Sequence, residues 1–253
     1  MSYRQSHQYA AKGAEYERHY ETQAWERFLW SREQEILLEI LEKYVAGRDV
    51  HLLDFACGTG RITSLLEDRV ETSTGIDISG SMLAIARKKL KRTEIIKADI
   101  TVDNVLKPRT FNLITAFRFF LNAEPELRSS AVRELTDLLT EDGCLVFNNH
   151  HHLGSPWIRL LYARHRWKNP EGIFNVMSIE QMEALVESAG LEIVEMYPVG
   201  FFHPPKVPVS YRLNRVIDNV ACRFKSLDRF SESPIVVCRR CKNPDSHTFS
   251  SRK

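Results

Sequence analysis

Residues 50–63 read Val50-His51-Leu52-Leu53-Asp54-Phe55-Ala56-Cys57-Gly58-Thr59-Gly60-Arg61-Ile62-Thr63. An apolar run ends in an acid, meets two glycines one residue apart, and passes into helix-compatible sequence. The pattern predicts a buried strand, a tight turn and a helix start. Glycine lets the backbone turn sharply and approach a ligand closely. The helix that follows presents unpaired N–H groups. At the carboxyl end of a parallel strand such a turn is a ligand cradle.

Upstream, Trp25, Phe28, Leu29, Ile36, Leu37, Ile40, Leu41 and Tyr44 recur at three- and four-residue spacing, predicting a helix over about 17–45, with Gly47 as its stop. Residues 1–15 are polar and read as loosely ordered. Downstream, a short helix over 62–68 leads to a strand at 72–78 ending at Asp77. A helix follows at 79–91, then a strand at 94–100 with Asp99 near its end, and a strand at 111–117. Pro125 opens a helix to about Leu139, and 143–148 is a fifth strand. This alternation predicts an α/β fold: a doubly wound, mostly parallel seven-stranded sheet with helices on both faces.

Past His150 the pattern loosens. Residues 150–174 read as irregular, aromatic and basic. Ser178 and Gln181 form a capping box for a helix to Ala189, and a sixth strand is expected over 191–202. Residues 203–208 contain three prolines and exclude a central strand. Residues 209–230 read as a basic amphipathic helix, continuous or broken, 233–239 as a last strand, and the tail after Pro244 as disordered. The expected organisation is an N-terminal helical cap, 1–46, and one domain, 47–253, with insertions at 150–177 and 203–233.

Hydrophobic residues make up 43% of the chain and charged residues 27%, the composition of a soluble globular protein. The net charge is +2, but residues 206–253 hold eleven Lys or Arg against four acids. Five scattered cysteines do not suggest a secreted disulfide framework. No apolar run approaches the roughly 18 residues of a membrane span, and no signal-peptide core is seen. A cytoplasmic enzyme is the simplest expectation.

Two ligands compete for the glycine turn. A dinucleotide fold wants G-x-G-x-x-G, and here Thr63 stands where the third glycine would be. Asp54 would also repel a pyrophosphate. A cationic, phosphate-free ligand fits better, and S-adenosylmethionine carries a sulfonium and an ammonium. Asp77 ends the second strand, where an acid accepts hydrogen bonds from ribose hydroxyls. Asp99 ends the third, within reach of an adenine amino group.

At this point the chain resembles the class I S-adenosylmethionine-dependent methyltransferases. L-L-D-F-A-C-G-T-G-R (52–61) is similar to the family's first motif, with Ala56 where many members have glycine. G-I-D-I-S-G-S-M-L-A-I-A-R (75–87) is similar to its ribose strand and following helix, and I-I-K-A-D-I (95–100) to its adenine-side motif. The resemblance covers about 48–150 and fades in 1–45, 150–177 and 203–233. It implies a cofactor-binding set of Asp54, Ala56, Gly58, Gly60, Asp77, Ile78, Met82, Asp99, Ile100 and Phe117. Within it, Gly58 and Gly60 approach the methionine end, Met82 packs on the adenine, and Phe117 with Arg118 follows the fourth strand, facing the acceptor. The cofactor is then S-adenosylmethionine and the product S-adenosylhomocysteine.

The acceptor is less defined. Thr115-Ala116-Phe117-Arg118-Phe119-Phe120 is not the Asn/Asp-Pro-Pro-Tyr/Phe motif of amino-methylating nucleic-acid enzymes. Asn148-Asn149-His150-His151-His152 follows the fifth strand on the active-site side of the fold. His150 is the candidate general base, set against a solvated turn. Arg118 either binds an anionic acceptor or pairs with an acid. Cys238-Arg239-Arg240-Cys241, with Cys222 or His247, offers too few paired ligands for structural zinc, and no metal is expected. The favoured function is O-methylation of a small molecule: a metabolite, a sugar or a lipid-linked glycan. The alternatives are methylation of RNA or another nucleic acid through the basic C-terminal segment, and cofactor binding without catalysis.

Overall fold

The computed structural model describes residues 4, 12–45, 47–172, 174–204, 207 and 209–241. Strands β1 (His51–Phe55), β2 (Thr72–Asp77), β3 (Glu94–Lys97), β4 (Phe111–Ala116), β5 (Leu139–Asn148), β6 (Leu191–Tyr197) and β7 (Ile235–Arg240) form one sheet in the order 3-2-1-4-5-7-6. β1 to β5 pair in parallel, and β7 lies antiparallel between β5 and β6. The order reverses between β1 and β4.

Successive strand residues face opposite sides of a sheet, and the core divides accordingly. Leu53, Ile114, Leu145 and Val236 face one side, where α5 (Pro125–Leu138) and α7 (Ile179–Glu187) cover them. Leu52, Leu113, Val146 and Val237 face the other, beneath α2 (Ala24–Val45) and α3 (Arg61–Leu66). Phe28, Leu37 and Ile40 of α2 belong to that second core. Further helices are α1 (Lys12–Thr22), α4 (Gly80–Lys89), α6 (Pro156–Lys168) and α8 (Tyr211–Ala221), with a 3₁₀ segment over Lys225–Phe230.

Several expectations change. The first helix begins at Lys12, inside the stretch read as loose, and breaks at Gln23. α1 is polar, so its order comes from docking rather than from its own periodicity. Gly13 lies so close to α4 that an added Cβ would stand 2.9 Å from the Ser81 carbonyl oxygen. The region read as irregular contains α6: Ser155 caps it, accepting from the Ile158 N–H, and Pro156 occupies the first turn. Its buried face is little more than Ile158, too sparse for periodicity to reveal. β6 stops at Tyr197, before Pro198, and β3 at Lys97. The long helix expected over 209–230 is only α8 and the 3₁₀ segment, separated at Cys222–Phe224. Pro205, Pro208, His247 and the tail after Pro244 lie outside the described residues.

Candidate functional site

The turn after β1 and the loop after β4 flank the point where strand order reverses, the ligand crevice of an open α/β sheet. Ala56, Gly58 and Gly60 take φ values of 53°, 56° and 76°. Glycine adopts this left-handed region freely, whereas Ala56 is strained there by about 1–2 kcal/mol. The turn is tied to β2: the Cys57 N–H donates to the Ile76 carbonyl at 3.1 Å, and the Gly58 N–H to Asp77 Oδ2 at 2.9 Å. Asp77 Oδ1 accepts from the Ser79 N–H at 2.7 Å. The Asp77 carboxylate thus joins the end of β2 to the glycine turn and to the start of α4.

Two adjoining hollows open over this turn. One is lined by Tyr16, Ala56, Gly58, Asp77, Met82 and Phe117, with Asp54 at its floor and Arg118 at its side. The other is lined by Phe55, Ala56, Ile78, Ala98, Asp99 and Phe119. Ala56 and Asp77 are shared, so the two form one elongated site over the ends of β1, β2 and β3. Most of the residues expected to hold cofactor therefore meet. Gly60 is instead under the turn, where an added Cβ would stand 2.8 Å from Leu90 Cδ1. The Ile100 side chain is buried in the core beside Leu106.

Asp54 is more than a neighbour of the ligand. It is buried, and its two oxygens accept the hydroxyls of Thr63 (2.5 Å) and Thr115 (2.8 Å), clamping α3 and β4 to β1. Burial raises its pKa to about 6, against the lowering effect of both hydroxyls. Thr63, in the place of a third glycine, has its own task as Asp54's donor. Asp99 accepts from Arg4 Nε at 2.6 Å and from the Thr101 hydroxyl at 2.6 Å. Burial alone would raise its pKa, but these hydrogen bonds outweigh it and hold the carboxyl below its ordinary range.

The side of the cleft around Arg118, expected to face the acceptor, is built from residues far apart in sequence. Glu33 of α2 is buried and accepts from Arg61 Nη1 and from Asn148 Nδ2 (3.2 Å). Asn148 Oδ1 in turn accepts the Arg118 N–H at 2.7 Å, fixing Arg118 at φ 59°. The Arg118 side chain donates to Glu26 Oε2 at 2.8 Å, so of its two expected roles the structure shows pairing with an acid. The Tyr20 ring stacks on both guanidiniums, at 4.4 Å from Arg61 and 5.0 Å from Arg118. Burial opposes charge on both arginines, and Glu33, Glu26 and Tyr20 more than offset it. The sequence reading missed Tyr20, Glu26 and Glu33. One signal was available: Glu26, Trp30 and Glu33 fall at i, i+4 and i+7, on one helical face.

The three histidines separate by role. His152 is buried and bonds through Nδ1 to the Ser231 carbonyl at 3.0 Å. His151 bonds to the Asn175 carbonyl at 3.2 Å and stacks on Phe174. His150 Nδ1 is buried and has no hydrogen-bond partner among the described residues. Burial, then the charge of Arg118, holds its pKa well below the ordinary value, so the ring is neutral. A second pair lies nearby and was also missed: His203 Nδ1 is 3.1 Å from Glu232 Oε1, with its ring stacked 4.0 Å over Trp25. His151 is within electrostatic reach of Arg118, Glu26 and His203. Among the described residues no cluster of metal-ligating side chains occurs, and Cys238 is buried in the core.

The residues present fit S-adenosylmethionine. Left-handed turns bring the backbone close, Asp77 sets a carboxylate at the end of β2 that could accept from hydroxyls, and Ile78 and Phe119 give an apolar slot ending at Asp99. Arg61, a cation at the cleft, is paired with Glu33.

Residues 52–143 match a family described as a methyltransferase domain. A protein of Geobacillus sp. (strain WCH70) named as a methyltransferase is 30% identical over 133 residues, covering 50% of each chain. The chain spans about half the length of the curated relatives it matches. Among solved structures, a Thermotoga maritima S-adenosylmethionine-dependent methyltransferase, described as a possible histamine N-methyltransferase, superimposes with a TM-score of 0.63 at 18% identity, covering 90% of this chain and 95% of that one. The magnesium protoporphyrin IX methyltransferase of Synechocystis PCC 6803, with bound S-adenosylhomocysteine, gives 0.60 at 13% identity, covering 85% of each. These two share a fold while their named acceptors differ.

Proposed function

We propose that this class I S-adenosylmethionine-dependent methyltransferase domain transfers a methyl group to an oxygen of a small molecule. The observation that carries the reading is the Asp77 carboxylate, bonded to the Gly58 N–H at the strand-order reversal and flanked by Ile78 and Asp99. Asp77 holds the ribose, Met82 and Ile78 flank the adenine, and the turn at Ala56 and Gly58 meets the methionine end beside Phe117. Bound there, S-adenosylmethionine supplies a methyl already activated on a sulfonium. The chain's remaining task is alignment and proton removal.

His150 is the proposed base. It is neutral, has a buried nitrogen without a hydrogen-bond partner among the described residues, and follows β5 within electrostatic reach of Arg118. It accepts the proton of an acceptor hydroxyl as the new carbon–oxygen bond forms. Arg118 is a positioning residue, fixed by Glu26 and Asn148. A small acceptor is supported by the charge inside the cleft: Arg61 is paired with the buried Glu33 and Arg118 with the partly buried Glu26, so neither guanidinium is left free for a phosphate.

The test is calorimetry with S-adenosylmethionine, followed by transfer of labelled methyl into separate small-molecule, RNA and protein pools. Binding with incorporation into small molecules supports the reading. Incorporation into RNA alone would move it to the nucleic-acid alternative, and binding without any transfer to a non-catalytic role.

A further inference from the structure

Helix α8 is inside out. Leu213, Val216, Ile217 and Val220 lie at i, i+3, i+4 and i+7, the spacing of a core-facing stripe. Yet Leu213, Val216 and Val220 are 49%, 59% and 50% exposed, while Asn214 and Asp218 are 2% and 1% exposed. The inversion has a cause on the inner face. Asp218 accepts the backbone N–H groups of Gly200 (3.1 Å) and Phe201 (3.2 Å), and Arg32 lies against it. Turning the apolar stripe inward would leave those two backbone donors without their carboxylate.

The exposed row continues past the helix. Phe224 is 56% exposed, and Leu227 also faces outward. Around the row stand the exposed cations Arg212, Arg223, Lys225 and Arg229. The two acids of this stretch do not balance them: Asp218 is buried, and Asp228 is only partly exposed. An outward apolar row framed by long cationic side chains is the pattern of a helix lying in the plane of a lipid interface. Aliphatic and aromatic groups enter the acyl boundary, and Arg and Lys extend to the phosphates.

We propose that α8 and the 3₁₀ segment dock this protein on an anionic lipid bilayer. Charge complementarity selects this occupant. A second copy of the same face would set four cations against four. An RNA would satisfy the cations but leave Val216, Val220 and Phe224 in water. An anionic bilayer satisfies both sets at once. The inner face of α8 holds the Gly200–Phe201 backbone, and His203 follows two residues later, so the docked face is about one helix diameter, roughly 10 Å, from the loop of the acceptor side. The docking stands whether or not the methyl-transfer reading holds.

The full chain should be floated with vesicles of phosphatidylcholine alone and with vesicles in which about a third of the lipid is phosphatidylglycerol. The expected result is co-flotation with the anionic vesicles only, weakening as salt rises. V216E/V220E should lower that binding about tenfold or more, and R223E/K225E by a similar factor with a flatter salt dependence. All four residues are exposed, so both variants should keep the wild-type circular dichroism and cofactor affinity. Absence of flotation with anionic vesicles would overturn the proposal, as would undiminished flotation of V216E/V220E. A wild-type dimer that V216E/V220E dissociates would assign the face to a second copy. Salt-sensitive RNA binding without vesicle binding would assign it to nucleic acid.

Discussion

The two halves of the cleft are built in opposite ways. The cofactor side is a matter of backbone: left-handed turns at Ala56, Gly58 and Gly60, and a carboxylate bonded to N–H groups at 2.7 and 2.9 Å. Its parts come from adjacent strand–turn–helix units. The Arg118 side, the proposed acceptor side, is a matter of side chains. Glu33, Arg61, Asn148, Arg118 and Glu26 form one chain of charge and hydrogen bonds drawn from α2, α3, β4 and β5. The first construction is fixed by local sequence. The second holds buried charge, which is tolerated only when every member is present.

That contrast can be broken at several points. The largest expected effect is at His150: His150→Ala should lower kcat by about 10²–10⁴-fold with cofactor affinity unchanged, and full turnover would make it a bystander. Next is Glu33→Ala, which leaves the largely buried Arg61 without its carboxylate. It should cost about 3–5 kcal/mol in chemical denaturation, and a loss below about 1 kcal/mol would show that the acceptor-side network is not a stability element.

Asp54 separates the two sides by pH. Its folded pKa, about 6, lies above the ordinary 3.8. The folded chain therefore takes up a proton more readily than the unfolded chain. The stability from this group is fully present below about pH 4 and is lost as pH rises through 6. Asp54→Asn should remove a pH dependence worth up to about 3 kcal/mol between pH 4 and 8, read as a flatter melting temperature against pH. An unchanged profile would place the titration elsewhere. Smallest is Asp77→Ala, expected to weaken S-adenosylmethionine about 10- to 100-fold in calorimetry through lost charge-assisted hydrogen bonds. Unchanged affinity would remove the ribose assignment.

Legibility follows the same division. The parallel strands, the turn, Asp77 and Asp99 could be read because strand ends and glycine turns are short-range features. α1 and α6 could not, because one is ordered by docking at Gly13 and the other buries little more than Ile158. Arg118 was read with two roles, and Glu26, a residue 92 positions away, shows the second. His150 could be singled out among three histidines only as a choice. The structure distinguishes it, because Ser231 and Asn175 occupy the other two.

By itself the sequence determined the layered α/β fold and the character of the cradle, since alternation, glycine placement and strand-terminal acids act over a few residues. The tertiary structure alone decided where charge is buried and which way α8 faces. An apolar stripe expresses a preference of a few kcal/mol. A partner such as the Gly200–Phe201 backbone, waiting for Asp218, can reverse it, and that partner is visible only once the chain has folded.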